Sequence, residues 1–214
     1  MIDPSENKQK SWRELNDEIV ENVTSTVKYL QSASVQNSPQ AVARLAQLRA
    51  AVGAAPGSAP AVWTETIGNV PEELLNHDDE PSAAESAIHH AVTLFALHRQ
   101  GKVTRAHQAR VGIGHALRRL SSHRSGSANE ESEGVRRRLD SFMTAVSITE
   151  SAYHLRGLVT LLRSADIGID YGYLARDLSQ LWTPAIRDTV RLRWARDYRY
   201  AAKSEKCKND KAIQ

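Results

Sequence analysis

Three segments of this chain open with the same punctuation. Ser11-Trp-Arg-Glu14, Ser82-Ala-Ala-Glu85 and Ser147-Ile-Thr-Glu150 each set a hydroxyl three residues ahead of a carboxylate. This is the capping box, in which the two side chains satisfy backbone N–H groups that a helix start leaves without partners. Ser38-Pro39 and Thr183-Pro184 add two starts of another kind, a capping hydroxyl followed by proline at the first helical position. Asp170 can cap the segment YGYLARDLSQLW that follows it. Strands have no use for such signals, so their density constrains the chain to helices.

Apolar spacing agrees. Ala84, Ile88, Ala91, Phe95 and His98 keep a helical period, as do Val135, Leu139, Phe142, Met143 and Val146. In HLRGLVTLLRSA (154–165), Leu155, Leu158, Val159 and Leu162 form one apolar face, while Arg156, Thr160 and Arg163 repeat on a neighbouring one. Ile113, Leu117 and Leu120 make a narrower seam. Aromatic residues are 6% of the chain, and few runs show the β-branched alternation of strands. The predicted fold is all-α, a helical bundle of about eight to nine helices. The segments are roughly 11–31, 38–52, 62–75, 82–100, 107–121, 133–146, 148–165, 171–181 and 184–200, with ends uncertain by a few residues.

Two stretches interrupt the pattern. GAAPGSAPA (53–61) is a Gly/Pro/Ala connector, and SSHRSGSANEESEG (121–134) is a polar loop of the kind that stays flexible. The second loop leaves two organisations open. It divides an N-terminal helical half (1–120) from a C-terminal one (135–200), or it is an insertion within one bundle. The tail 201–214 has no apolar period and reads as disordered.

With 214 residues, 41% of them hydrophobic and 25% charged, the chain can bury a sizeable core. Cys207 is the sole cysteine, which rules out an internal disulfide and a Cys-rich zinc site and suits a reducing, cytoplasmic compartment. MIDPSENKQK lacks the apolar region of an export signal, and no stretch of about 18 apolar residues follows. Neither export nor a membrane partner is expected.

The formal net charge of +3 hides a division. Residues 1–100 carry 7 Lys/Arg against 13 Asp/Glu, and residues 101–200 carry 17 against 10. Of those 17, 16 are Arg, and only Lys102 is Lys. The planar guanidinium donates two parallel hydrogen bonds and desolvates readily, which suits phosphate. In RVGIGHALRRL the seam faces inward, so His115, Arg118 and Arg119 are expected to project away from the core. Arg136, Arg137 and Arg138 sit at the start of the next helix, where the dipole disfavours cations. That local cost points to an outside anion. The plainer alternative is neutralisation by Asp140 and by Glu130, Glu131 and Glu133, or Arg usage set by genome composition.

Catalytic patterns are weak. His77-Asp78 resembles the His-Asp pair of metal-dependent phosphohydrolases, with His89, His90 and His98 nearby. However, adjacent His89 and His90 point about 100° apart on a helix, and the chain has no HExxH and no cysteine ligand set. There is no GxSxG elbow and no P-loop. Gly112 and Gly114 fit close helix–helix contact better than a phosphate loop, since no strand precedes them. No enzyme activity and no cofactor are expected. Tyr153, Tyr171, Tyr173, Trp182 and Trp194 are candidate stacking aromatics for a single strand, although Trp194 keeps core spacing with Ile186 and Val190, with Tyr198 on the same face.

Four segments in order, AIHHAVTLFALHRQ (87–100), GIGHALRRL (112–120), 136–178 from RRRLDSF to YLARDL, and VRLRWARDYRY (190–200), resemble the CasB family. This is the small subunit of the type I-E CRISPR surveillance complex, Cascade. The likeness covers most of 82–200, and the first 80 residues match loosely. It implies a non-catalytic all-helical protein that forms a homodimer beside other Cascade subunits, guide RNA and target DNA strands. Basic surfaces of such a protein hold the strands opened in the R-loop during antiviral defence. Carried over by position, the implied nucleic-acid-binding residues are Arg118, Arg119, Arg136, Arg137, Arg138, Arg156 and Arg163, with Arg110 just ahead of the glycine motif. His115 departs from the pattern, because relatives can carry Arg there. The reading requires these guanidinium groups to converge, on folding, into a continuous cationic track. A helical adaptor without nucleic-acid contact is the alternative.

Overall fold

The computed structural model describes residues 10–101, 105–126 and 131–212, with side chains as far as Arg199. Lys102, Glu130 and the side chain of Cys207 therefore lie outside the described residues. Eight α-helices are formed among the described residues: α1 (Trp12–Val35), α2 (Pro39–Ala50), α3 (Ala83–Arg99), α4 (Ile113–Ser125), α5 (Glu133–Thr144), α6 (Ile148–Ser164), α7 (Tyr171–Leu181) and α8 (Arg187–Ala212). No strand is present among them, so the fold is all-α.

Two of the three capping boxes close as read, and Ser38 makes no side-chain cap bond although α2 does start at Pro39. Ser11 and Ser82 form complete boxes with Glu14 and Glu85. Ser147 accepts from the Glu150 N–H, but Glu150 turns outward to accept from the Val146 N–H at 2.9 Å, so only half of that box closes. Asp170 caps α7 through Tyr173 N–H and also accepts from the Arg110 N–H at 2.7 Å. Proline signals locate starts less well, since α8 begins at Arg187, three residues after Pro184.

Three sequence expectations need correction. The segment 62–75 is no α-helix: it folds as three single 3₁₀ turns, at Pro60–Val62, Ile67–Asn69 and Glu72–Leu74. Pro71 has no N–H to continue the ladder, and the Asn69 amide bonds to Thr26 and to the Glu65 carbonyl instead. Residues 106–112 are not helical: a bridge residue at His107 is followed by a turn in which Arg110 takes a left-handed φ of +65°. Ala106 and Gln108 pair with Ile169 as a one-residue parallel bridge, and the Gln31 side-chain amide exchanges two hydrogen bonds with the His107 backbone. Finally, α8 runs on to Ala212, through residues whose composition reads as tail.

α3 is the central element. Of its 17 residues 13 are buried, because α7, α2, α6 and α1 pack around it. A single apolar stripe predicted one covered face, and the whole barrel of the helix is covered instead. One buried cluster draws residues from all eight α-helices, so packing continues across the 121–134 connector. Two crossings are close enough to require glycine. A Cβ on Gly114 would lie 2.5 Å from the Trp194 carbonyl oxygen, which fixes α4 against α8. A Cβ on Gly172 would overlap Thr24 Oγ1 and lie 2.7 Å from the Val20 carbonyl oxygen, which fixes α7 against α1.

Candidate nucleic-acid interface

Because α4 and α8 touch at Gly114, their side chains diverge on the flank where α5 packs. A groove of about 530 Å³ opens there, lined by Arg118, Arg136, Arg191 and Arg199, with Glu131 and Asp140 as the lining carboxylates. Leu139, Met143 and Trp194 form its apolar floor, and Trp194 stacks on Phe142 with rings 10° from parallel. The groove is thus cationic by two formal charges. Arg136 is bound by Asp140 at 3.0 Å and lies 3.6 Å from Glu131, and Asp140 holds its guanidinium above the usual arginine range. Arg191 donates to Asp188 and to the Met143 carbonyl. Arg199 is exposed and has no carboxylate partner among the described residues.

Arg118 corrects one expectation. Read as projecting away from the core, it is 6% exposed, with its guanidinium 5.8 Å from the Tyr198 ring centroid. The physical reason is α8, which lies along the outer side of α4 and covers the face that a solitary α4 would expose. Arg119, partly exposed, and Arg124, exposed, keep the solvent side of α4 without a carboxylate partner among the described residues. On α5, Arg137 pairs with Glu133 one turn earlier, and Arg138 donates to the Gly134 carbonyl. Neutralisation by neighbours therefore holds for Arg136 and Arg137 and not for Arg138.

The remaining candidates lie elsewhere. Arg156 is exposed on α6 and lines a different cavity, of about 620 Å³, with Gly53, His90 and Tyr153. Tyr153, 74% exposed, is the most accessible of the proposed stacking aromatics, whereas Tyr171, Trp182 and Trp194 are core. Arg163 is directed at the end of α3, donating to Gln100 Oε1 at 3.1 Å and toward the Leu97 carbonyl at 3.4 Å. Arg110 is exposed, with φ at +65° and its N–H held by Asp170. The structure brings Arg118 and Arg136 into one groove and sets Arg110, Arg156 and Arg163 in three other places.

Residues 44–198 match the family model described as CRISPR-associated protein Cse2. The chain belongs to the Cse2 family. Solved structures agree with this Cse2 assignment. CasB from Thermobifida fusca is 33% identical with a TM-score of 0.68, covering 85% of this chain and 97% of that one. A chain of a CRISPR RNA-guided surveillance complex is 25% identical with a TM-score of 0.68, covering 89% and 99%. M. ruber CasB is 26% identical with a TM-score of 0.57, covering 77% and 89%. Among curated proteins none matches.

Sequence reasoning missed the two α8 arginines that complete the groove of this Cse2 chain, Arg191 and Arg199, and it missed Asp177. Asp177 is buried on α7 and accepts from Arg176, Arg193 and the Trp194 indole, at 2.6–2.9 Å. This carboxylate ties α8 to α7 and sets the direction in which α8 presents its other arginines. Its charge, added to burial, pushes the nearby Asp197 carboxyl up. The alternation of Arg191, Arg193 and Arg199 with Trp194 and Tyr198 is the signal that could have located α8 in the site.

His89, His90 and His98 are buried in the core of this Cse2 fold. No group of three or more His, Cys, Asp or Glu side chains that could hold a metal occurs among the described residues. His98 Nδ1 meets the Tyr171 hydroxyl at 2.8 Å in the core. Burial, with the neighbouring His89, pushes His90 down to about 4, and burial lowers His89 as well. Among the described residues no helix is long and apolar enough to cross a membrane.

Proposed function

We propose that this chain is a non-catalytic subunit of a type I-E CRISPR surveillance complex, a homodimer within it, that stabilises the R-loop by holding nucleic-acid backbone. The observation that carries this reading is the groove between α4, α5 and α8, where four arginines meet two carboxylates on a rigid helical frame. Guide pairing supplies sequence specificity, and R-loop formation is a nearly balanced exchange of duplexes. A surface that neutralises phosphates shifts that balance without reading bases. Arg119, Arg138 and Arg156 supply further guanidinium groups free of carboxylates among the described residues.

The free chain should bind single-stranded DNA weakly, with log affinity falling against log salt by about 0.7 per phosphate neutralised. Fluorescence anisotropy across a salt series measures the slope. Salt-independent binding, or a strong preference for one base sequence, would contradict the proposal. A second reading, a helical adaptor that docks protein and not nucleic acid, is favoured by the carboxylate pairing of Arg136 and Arg137 and by the exposed Val146 and Leu192. Under it, arginine substitutions leave DNA affinity unchanged while assembly into the complex fails.

A further inference from the structure

A second groove, of about 630 Å³, lies where the last turns of α1 meet the non-helical segment 105–109. Lys28 and Arg105 are exposed at its rim, Gln31, Ser32, Gln36 and Gln108 line it together with the apolar Val35 and Ala109, and no carboxylate does. Tyr29, 61% exposed, stands on the same wall. His107 also lines this groove and is itself 3% exposed. Its Nδ1 accepts a hydrogen bond from the Tyr171 N–H at 3.3 Å, so the neutral ring carries its proton on Nε2. That Nε2 has no hydrogen-bond partner. Buried donors are rarely left without an acceptor, and each exception calls for an explanation.

The explanation offered by the surroundings is an anion. Lys28 and Arg105 face a space lined by no carboxylate, an exposed phenol ring stands beside them, and the unpartnered His107 N–H is buried in the wall behind. We infer that this groove is a separate contact for a single-stranded nucleic-acid segment, with a phosphodiester held by Lys28 and Arg105 and a base stacked on Tyr29. The inference rests on the proposed nucleic-acid role but not on the α4/α5/α8 groove. Its α1 wall lies ahead of residue 44, where the family match begins.

The test compares the full chain with two charge-reversal variants, Lys28→Glu/Arg105→Glu and Arg136→Glu/Arg137→Glu/Arg138→Glu, in anisotropy titrations with a labelled oligothymidine. The first variant should lose at least about tenfold in affinity and about 1.4 in salt slope, from 0.7 for each of two phosphates. It should do so whether or not the α5 triplet is intact. Tyr29→Ala, at an exposed position, should weaken binding further, and the His107 Nε2 proton should shift in NMR spectra on addition of oligothymidine. If only the α5 variant weakens binding, the inference is overturned and the proposed function stands. If neither variant changes the binding that is seen, or the wild-type chain binds no oligothymidine, both are overturned. Selective capture of a polyglutamate peptide by Lys28 and Arg105, with no oligothymidine bound, would make this a protein-docking groove and also overturn the inference.

Discussion

At the scale of single residues, the chain separates arginines that build the fold from arginines that remain available to a ligand. Arg118 under Tyr198, and Arg176 and Arg193 on Asp177, belong to the first kind. Asp177 is nearly enclosed and serves three donors, so its removal strands two guanidinium groups and an indole N–H. Asp177→Ala should cost about 3–5 kcal/mol, the scale for breaking a buried ion pair, and Asp177→Asn less, as read from urea unfolding midpoints. His90 sets a pH dependence. Above pH 6.5 both folded and unfolded chains hold it neutral, so its contribution is complete. As pH falls from 6.5 to about 4, the unfolded chain takes up a proton that the folded one refuses, and stability is lost. The loss is on the order of 3 kcal/mol for this one group, and His89 and His107 shift in the same direction. Thermal melts followed by circular dichroism should show the midpoint falling across this window, less steeply in His90→Gln.

At the scale of elements, what was legible in the sequence was local. Ser82 and Glu85 announce α3 because both partners lie within one turn, and Asp170 announces α7 for the same reason. Gly114 was readable as a close contact, but its partner Trp194 lies 80 residues away and could not be named. Arg118 was misread because an apolar seam defines the inner face of one helix and says nothing about a second helix lying across its outer face. Segment 62–75 failed for a related reason: it reads as a helix locally, while Pro71 and the Asn69 side chain divert the backbone into separate turns. Glycine substitutions test the packing directly. Gly172→Ala pushes a methyl group into α1 backbone and should cost about 1–3 kcal/mol. Gly157→Ala, on α6 with nothing within 4 Å of the new Cβ, should instead stabilise by about 0.5–1 kcal/mol. Opposite signs in denaturant midpoints would verify the close α1/α7 crossing.

At the scale of the whole molecule, the sequence located the basic half of the chain but could not say how its charges meet. The fold gathers Arg118 and Arg136 with Arg191 and Arg199 around one groove, and it sets Arg110, Arg156 and Arg163 apart. The continuous cationic track expected from the sequence is therefore not formed; the cationic surface is a set of separate stations on the helical body, and the proposed role requires a backbone that passes several of them. α5 is the element to test, since Glu at its first turns agrees with the helix dipole and should leave helicity intact. The decisive measurement is target-duplex binding by the reassembled surveillance complex carrying Arg136→Glu/Arg137→Glu/Arg138→Glu, with subunit incorporation checked alongside. The account predicts normal incorporation and R-loop formation weakened by at least about tenfold, with a shallower salt dependence. Normal incorporation with unchanged target binding would contradict it.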